Sequence, residues 1–297
     1  MPSNRPASIK SLLFVPADSP RKLASSLRSG ADALVYDLED AVAETGKRSA
    51  RTTLVEFLAN NRETMGAYLC IRVNGLATRH ILDDLRAVVP FAPDAIVLPK
   101  CRNAADVYRL SDYLAAFEHA YLDGKHRTEI IAMATETSEG IFGLASYREP
   151  PMRLRALMWG VDDLAAEIGA FSAHSGRELT SPFSVARTMC LLAAAQAGID
   201  AIDAVSTVLG DEGHIDREAM LAKRDGFAAK AAGHPAHIPA INRVFAPGED
   251  EVAWAKAVVD AFNTSGSAGV VRFGDCMIDK PHLRLAHRIL CSVHGDD

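Results

Sequence analysis

The chain has 297 residues, 48% of them hydrophobic, so a full core can be buried, and one large α/β barrel domain is as compatible with this length as two small domains. With 38 acidic against 32 basic side chains, the net charge is −6 and the isoelectric point is near 5.9. That balance excludes the basic face a nucleic-acid partner would need, and it leaves any anionic ligand to be met by local cations.

The opening MPSNRPASIK runs into the apolar SLLFVP, too short for a signal-peptide core and followed by no small-residue cleavage pattern. No apolar run reaches membrane-spanning length, so no membrane partner is expected. The first predicted strand is 11–15. Others follow at 33–38, 68–73, 95–98, 129–134, 154–159 and 201–205, with a weaker one at 229–232. Most are apolar throughout, as strands covered on both faces of a parallel sheet are. The segments between them carry a helical period. In the fourth, Val107, Leu110, Leu114, Phe117 and Tyr121 form one stripe. In the last, Val252, Ala255, Val259 and Phe262 do the same, after Pro247-Gly248. Eight strand–helix repeats without a Gly-rich dinucleotide fingerprint predict a closed TIM (β/α)8 barrel over residues 1–264, in preference to an open doubly wound sheet. Residues 265–297 fall outside the eightfold pattern and read as a C-terminal lid: a β-like run at 268–273, a polar turn, and a helix from about Pro281. The cysteines Cys70, Cys101, Cys190, Cys276 and Cys291 are odd in number, scattered and free of any CxxC pattern. They suggest neither a disulfide framework nor a zinc site, and a reducing cytoplasm is the expected setting.

Barrel chemistry lies at the C-terminal ends of the strands. The second predicted strand ends in Asp37-Leu38-Glu39-Asp40, the third in Arg72-Val73-Asn74 and the fourth in Pro99-Lys100. The fifth ends in Thr135-Glu136-Thr137 and the sixth in Gly160-Val161-Asp162-Asp163. Carboxylates from three strands thus converge on one mouth, with Arg72 and Lys100 between them. Each residue also has a plain reading. Asp162 or Asp163 could cap the next helix. Arg72 could pair with Asp37, and Lys100 could reach along the rim to water. Gathered carboxylates repel unless a cation neutralises them, and an all-oxygen set suits Mg²⁺, with Mn²⁺ as a substitute. No histidine falls at these strand ends, which argues against zinc. His234-Pro235-Ala236-His237 follows the last strand, either at the mouth or as a structural turn. Cys101 has no activating pattern beside it.

In order and spacing, SLLFVPADSPRK, GADALVYDLEDAV, IRVN, AIVLPK, ATETSEGI, ALMWGVDDLAAEIG, RTMCLLAAAQAGIDAID, GFAAKAAGHPAHI and CMIDKP make the chain resemble the citrate lyase β-subunit-like family nearly end to end. That family includes malyl-CoA and citramalyl-CoA lyases, within the wider HpcH/HpaI aldolase superfamily. The resemblance implies a TIM barrel whose C-terminal lid covers a neighbouring subunit's site in a homotrimer or a hexamer. It places the metal ligands on Glu136 and Asp163, with Asp162 where the family often has Glu. It places the arginine that grips the oxo-acid carboxylate on Arg72 and the acidic pair after the second strand on Glu39 and Asp40. Asp37 falls on an acid behind the metal, and Asp279 on the lid acid. Departures fall on the CoA side and the lid. Ala17 stands for a common Gly and Gly233 for Ile or Asn. His237 stands for Gln, and Cys276 lies in a turn that usually reads Gly-Lys-Met.

The implied reaction is cleavage of a C–C bond in a carboxylated 3-hydroxyacyl-CoA. The metal on Glu136 and Asp163 would bind the carboxylate and hydroxyl oxygens, and Arg72 would clamp the carboxylate. Glu39, Asp40 or a water they hold would take the hydroxyl proton, and Asp279 would protonate the thioester enolate. Asp279 also has a plain reading as a helix N-cap just before Pro281. Two other functions fit the same residues: a malyl-CoA thioesterase, and the β subunit of a multi-subunit citrate lyase. The intact acid set argues against a dead enzyme.

Overall fold

The computed structural model describes residues 9–176, 178–206, 208, 212–265 and 269–293. Eight parallel strands close into a barrel: β1 (Ser11–Pro16), β2 (Ala33–Asp37), β3 (Tyr68–Arg72), β4 (Ala95–Leu98), β5 (Glu129–Met133), β6 (Leu154–Met158), β7 (Asp200–Ser206) and β8 (Ala229–Ala232). They follow chain order around the ring, and β8 closes on β1 from Ser11↔Lys230 to Leu13↔Ala232. The expected TIM barrel is therefore the fold. Its interior is filled by Leu12, Val35, Cys70, Val97, Ile131, Met158 and Ile202, together with alanines such as Ala33, Ala95 and Ala231. The other faces of the same strands pack under the helices, through residues such as Leu13, Leu34, Ile71 and Leu157. Burial on both faces is why most of these strands read as apolar runs, and where a charge lies inside one, as with Asp203 and Lys230, the two pair with each other.

The surrounding helices are α1 (Pro20–Ser26), α2 (Lys47–Asn61), α3 (Ile81–Val88), α4 (Ala104–Leu122), α5 (Ser138–Gly143), α6 (Asp162–Ile168), α7 (Ser181–Ala197) and α8 (Glu212–Asp225). After β8 come α9 (Ile238–Phe245) and α10 (Glu249–Thr264). A two-stranded hairpin, His174–Ser175 with Glu178–Leu179, precedes α7. In α10 the buried line is Ala255, Val258 and Phe262, while Val252 and Val259 are only half-buried. Ala255 and Phe262 of the sequence stripe are thus in the buried line, Val259 packs against its edge, and Val258 is the buried residue the stripe missed. No helix among the described residues is long and apolar enough to cross a membrane.

The tail differs in detail from expectation. Strand β9 (Val270–Phe273) pairs antiparallel with a second strand, β10 (Cys276–Asp279), which the sequence does not announce, and α11 (Lys280–Val293) follows at once. The turn between the strands passes through Gly274 at φ 58°, a left-handed conformation that glycine adopts without steric cost. Ala268, in the predicted run, lies outside the described residues. Ile278 and Ala286 bury against Ala255, Val258 and Phe262, so α10, the hairpin and α11 share a small core of their own. The second half of α11 lies against the N-terminal end of the barrel. Arg288 comes within 3.9 Å of Asp200, the first residue of β7, and Leu285 and Ile289 share a cavity wall with Ile9 and Lys10.

Candidate active site

The mouth is organised from the end of β2. The parallel register sets Asp37 beside Arg72, with both side chains on one face. The Arg72 guanidinium closes on Asp37 as a fork, Nε–Oδ1 at 2.8 Å and Nη2–Oδ2 at 2.6 Å, and its Nη1 lies 3.2 Å from Glu39 Oε2. It also stacks over the Phe14 ring at 5.3 Å. The acidic loop bends back on itself, because the Glu39 N–H donates to Asp37 Oδ1 at 2.8 Å. Two buried side chains hold it from behind: the Lys47 ammonium donates to the Leu38 and Glu39 carbonyls, and the Asn74 amide donates to Leu38 O.

Opposite this loop, Lys100 follows β4 in a left-handed conformation, φ 51°. Its N–H donates to Glu136 Oε2 at 2.6 Å. Its ammonium contacts Glu39 Oε1, lies 2.8 Å from Asp40 Oδ2 and is 3.4 Å from Asp163 Oδ1. Glu136 follows β5 and is buried against Gly160, where a Cβ would stand 2.5 Å from Glu136 Cγ; only glycine fits there. Thr137 caps α5 by accepting the Gly140 N–H. Glu167 of α6 accepts the Ser138 N–H at 2.9 Å, tying the Glu136 loop to the helix that carries Asp163. Val161 is the N-cap of α6 and Asp162 and Asp163 lie in its first turn, where no side-chain cap bond is made, so neither aspartate is spent on capping. A cleft of about 670 Å³ opens beside the cluster, lined by Asp40, Asn74, Arg79, Lys100 and Arg102 among others.

Asp37, Glu39, Asp40, Arg72, Glu136 and Asp163 thus meet at one mouth. Asp279 does not join them. It ends β10, and its carboxylate meets His282 Nδ1 at 2.7 Å. The sequence places Lys100 at this mouth without giving it a role, and it does not point to Glu167 at all. Cys101 is buried beside the Tyr147 hydroxyl, and burial pushes its thiol up to about 12, which suits no nucleophile.

Burial pushes the Glu136 carboxyl up to about 8. Asp163 and Glu39 act in the same direction, while the Lys100 N–H and Arg72 oppose them. Burial also raises Glu39, against the pull of Arg72 and Lys100. Burial works against the Lys100 ammonium too, yet Asp40 and Glu39 outweigh it and its pKa rises. A carboxyl raised by burial, and further by acidic neighbours, is favoured as an anion when a further cation joins it. Glu136 and the partly exposed Asp163 are oxygen donors of the kind Mg²⁺ prefers, leaving coordination positions for water and ligand. Among the described residues no group of three or more His, Cys, Asp or Glu forms a fuller cage.

The shift has a sign that can be measured. The Glu136 proton leaves the unfolded chain near 4.5 and the folded one near 8, so between those values the folded state holds more protons and loses stability as pH rises. In chelator, the melting temperature of the wild type is expected to fall relative to that of Glu136→Gln as pH rises from about 5 to about 8. Parallel curves for the two proteins would mean that Glu136 is ionised throughout.

A closed parallel barrel with buried carboxylates gathered at its strand ends is the architecture of an enzyme. The pattern of the HpcH/HpaI aldolase/citrate lyase family matches residues 10–235, and the chain belongs to that family. It is 30% identical to citrate lyase subunit beta of Leuconostoc mesenteroides subsp. cremoris over 283 residues, 95% of this chain and 92% of that protein. It is also 30% identical to a (3S)-malyl-CoA thioesterase of Cereibacter sphaeroides over 291 residues, 96% of this chain and 95% of that one. The crystal structure of protein CitE from Mycobacterium tuberculosis with magnesium, acetoacetate and coenzyme A is similar at a TM-score of 0.77 and 28% identity. That match covers 97% of this chain and 99% of the other.

Proposed function

We propose that this chain is a Mg²⁺-dependent lyase that cleaves, and in reverse forms, a C–C bond in a carboxylated 3-hydroxyacyl-CoA such as citramalyl-CoA or malyl-CoA. The observation that carries this reading is the convergence of Glu136 and Asp163 with Arg72 and the Glu39–Asp40 loop at one barrel mouth. Magnesium, coenzyme A and acetoacetate in the similar CitE structure support it.

Glu136 and Asp163 would hold the metal, which supplies Lewis acidity at the substrate's carboxylate and hydroxyl oxygens. Arg72 already has its fork closed on Asp37, so it would meet the substrate carboxylate through its remaining N–H groups, in a fixed orientation. Glu39 is buried and its pKa is raised, which suits a proton acceptor, while Asp40 shares Lys100 with it. When the hydroxyl proton leaves, the C–C bond electrons pass to the thioester as an enolate and the oxo-acid departs. Asp279 would protonate that enolate from a neighbouring copy in a trimer or hexamer. Support for an action between chains comes from the tail, because α11 packs at the opposite end of its own barrel.

The relatives favour two further readings, a thioesterase and a subunit of a larger lyase. Incubating the purified protein with malyl-, citramalyl-, citryl- and methylmalyl-CoA and Mg²⁺ separates them. Oxo-acid together with a shorter acyl-CoA is the expected product. Free hydroxy acid with free CoA would make the chain a thioesterase. Turnover only after other subunits are added would make it part of an assembly.

A further inference from the structure

Lys100 is held at both ends by the groups that the proposed function makes metal ligands or their neighbours. Its N–H is fixed on Glu136, and its ammonium lies among Glu39, Asp40 and Asp163. Two independent features mark the residue. The first is its backbone. A φ of 51° is the left-handed region, in which a side chain with a Cβ is disfavoured and glycine is not. Such a conformation persists only where the surroundings impose it, and it concentrates at functional positions. Here it aims the amide at Glu136 and the side chain across the mouth in the same stroke.

The second is the mismatch between the two cations of the mouth. Arg72 is nearly buried, with a side chain 12% exposed, and is forked onto Asp37. The Lys100 side chain is 35% exposed and ends in a compact, rotatable head. Arg72 is therefore fixed by a two-point fork, whereas the Lys100 head touches Glu39 and Asp40 closely and Asp163 at the longer 3.4 Å. A divalent cation held by Glu136 and Asp163 would share Asp163 with an ammonium 3.4 Å from that carboxylate, and like charges that close repel.

We infer that Lys100 is a built-in counter-cation that trades places with the metal. Its ammonium, seated on Glu39 and Asp40, also neutralises Asp163 until a divalent ion arrives, then gives up Asp163 and keeps the other two, so that Lys100 sets the metal affinity of the site. This rests on the metal reading of Glu136 and Asp163. Lys100 acts through those carboxylates and is a positioning residue.

The test is calorimetric titration of Mg²⁺ into wild type, Lys100→Met, Lys100→Gln and Lys100→Arg, alongside melting curves in chelator and in saturating Mg²⁺. Both neutral variants keep the backbone N–H. They are expected to bind Mg²⁺ about tenfold more tightly, because a competing unit charge a few ångströms away is gone. They should melt at a lower temperature than wild type in chelator and recover most of the difference in Mg²⁺. Lys100→Arg keeps the competing charge and should not show the tightening seen in the neutral variants. A purely structural lysine would lower both melting temperatures and leave the affinity unchanged. Unchanged or weaker binding in the neutral variants, with clear binding by wild type, overturns the exchange while sparing the metal site. No heat from any of the four proteins overturns both.

Discussion

Glu136→Gln is expected to keep the barrel and lose about three orders of magnitude or more in Mg²⁺-dependent turnover. The substitution removes little volume, and Gln can still accept the Lys100 N–H through its amide oxygen, so the packing against Gly160 is preserved. What it removes is the charge. The wild-type acid is destabilised as an anion by burial and by Asp163 and Glu39, a condition that a divalent ion relieves. An amide gives the ion no such reason to stay. Chelator should therefore abolish wild-type turnover and Mg²⁺ restore it, while the variant stays inactive in both. Circular dichroism and a melting curve guard against trivial unfolding. Near-wild-type turnover of the variant in chelator would remove the metal from the mechanism.

The second large effect is expected between subunits. Asp279→Ala and Glu136→Ala should each be inactive alone, and activity should return when the two are unfolded and refolded together. Within one chain the Asp279 carboxylate contacts His282, and the core shared by α10, the hairpin and α11 holds it off the barrel. If it acts on the enolate, it acts at another copy's mouth. A mixed oligomer would then contain interfaces with an intact metal pair under an intact Asp279. Each variant refolded alone is the control. A mixture that forms mixed oligomers yet stays as inactive as its parents would end the in-trans role.

The barrel was legible in the sequence because strands buried on both faces become apolar runs, and eight of them were visible. The acids at the mouth were legible for a related reason. Several acids gather where the apolar runs end, and Asp37, Glu136 and Asp163 stand at those breaks. Lys100 was placed among those acids, but its partners were not legible. A lysine after a strand looks the same whether it faces water or three carboxylates, and its partner Glu39 is 61 residues away. Nor does sequence report a left-handed backbone at a residue other than glycine. The Arg72–Asp37 pair was one of two readings open for Arg72, and the parallel register decides that they meet. In the tail, β10 escaped notice because Cys276 and Met277 are both exposed, so no two-residue alternation marks the strand. In α10, steps of three and of four from Ala255 both land on valine, so the sequence could not tell that Val258 would be fully buried and Val259 only half-buried.

The fork between Arg72 and Asp37 also has a thermodynamic side. A free arginine side chain carries about 2 kcal/mol of rotamer entropy, which an interaction with a ligand must ordinarily overcome. Here that freedom is lost when β2 and β3 come into register, before any ligand arrives. The ordering cost falls on the folding equilibrium instead of the binding equilibrium, so a carboxylate reaching the mouth meets a guanidinium already at rest. Asp37→Asn would return that motion to the arginine. If the proposed oxo-acid binds at Arg72, the loss should then appear in its binding entropy.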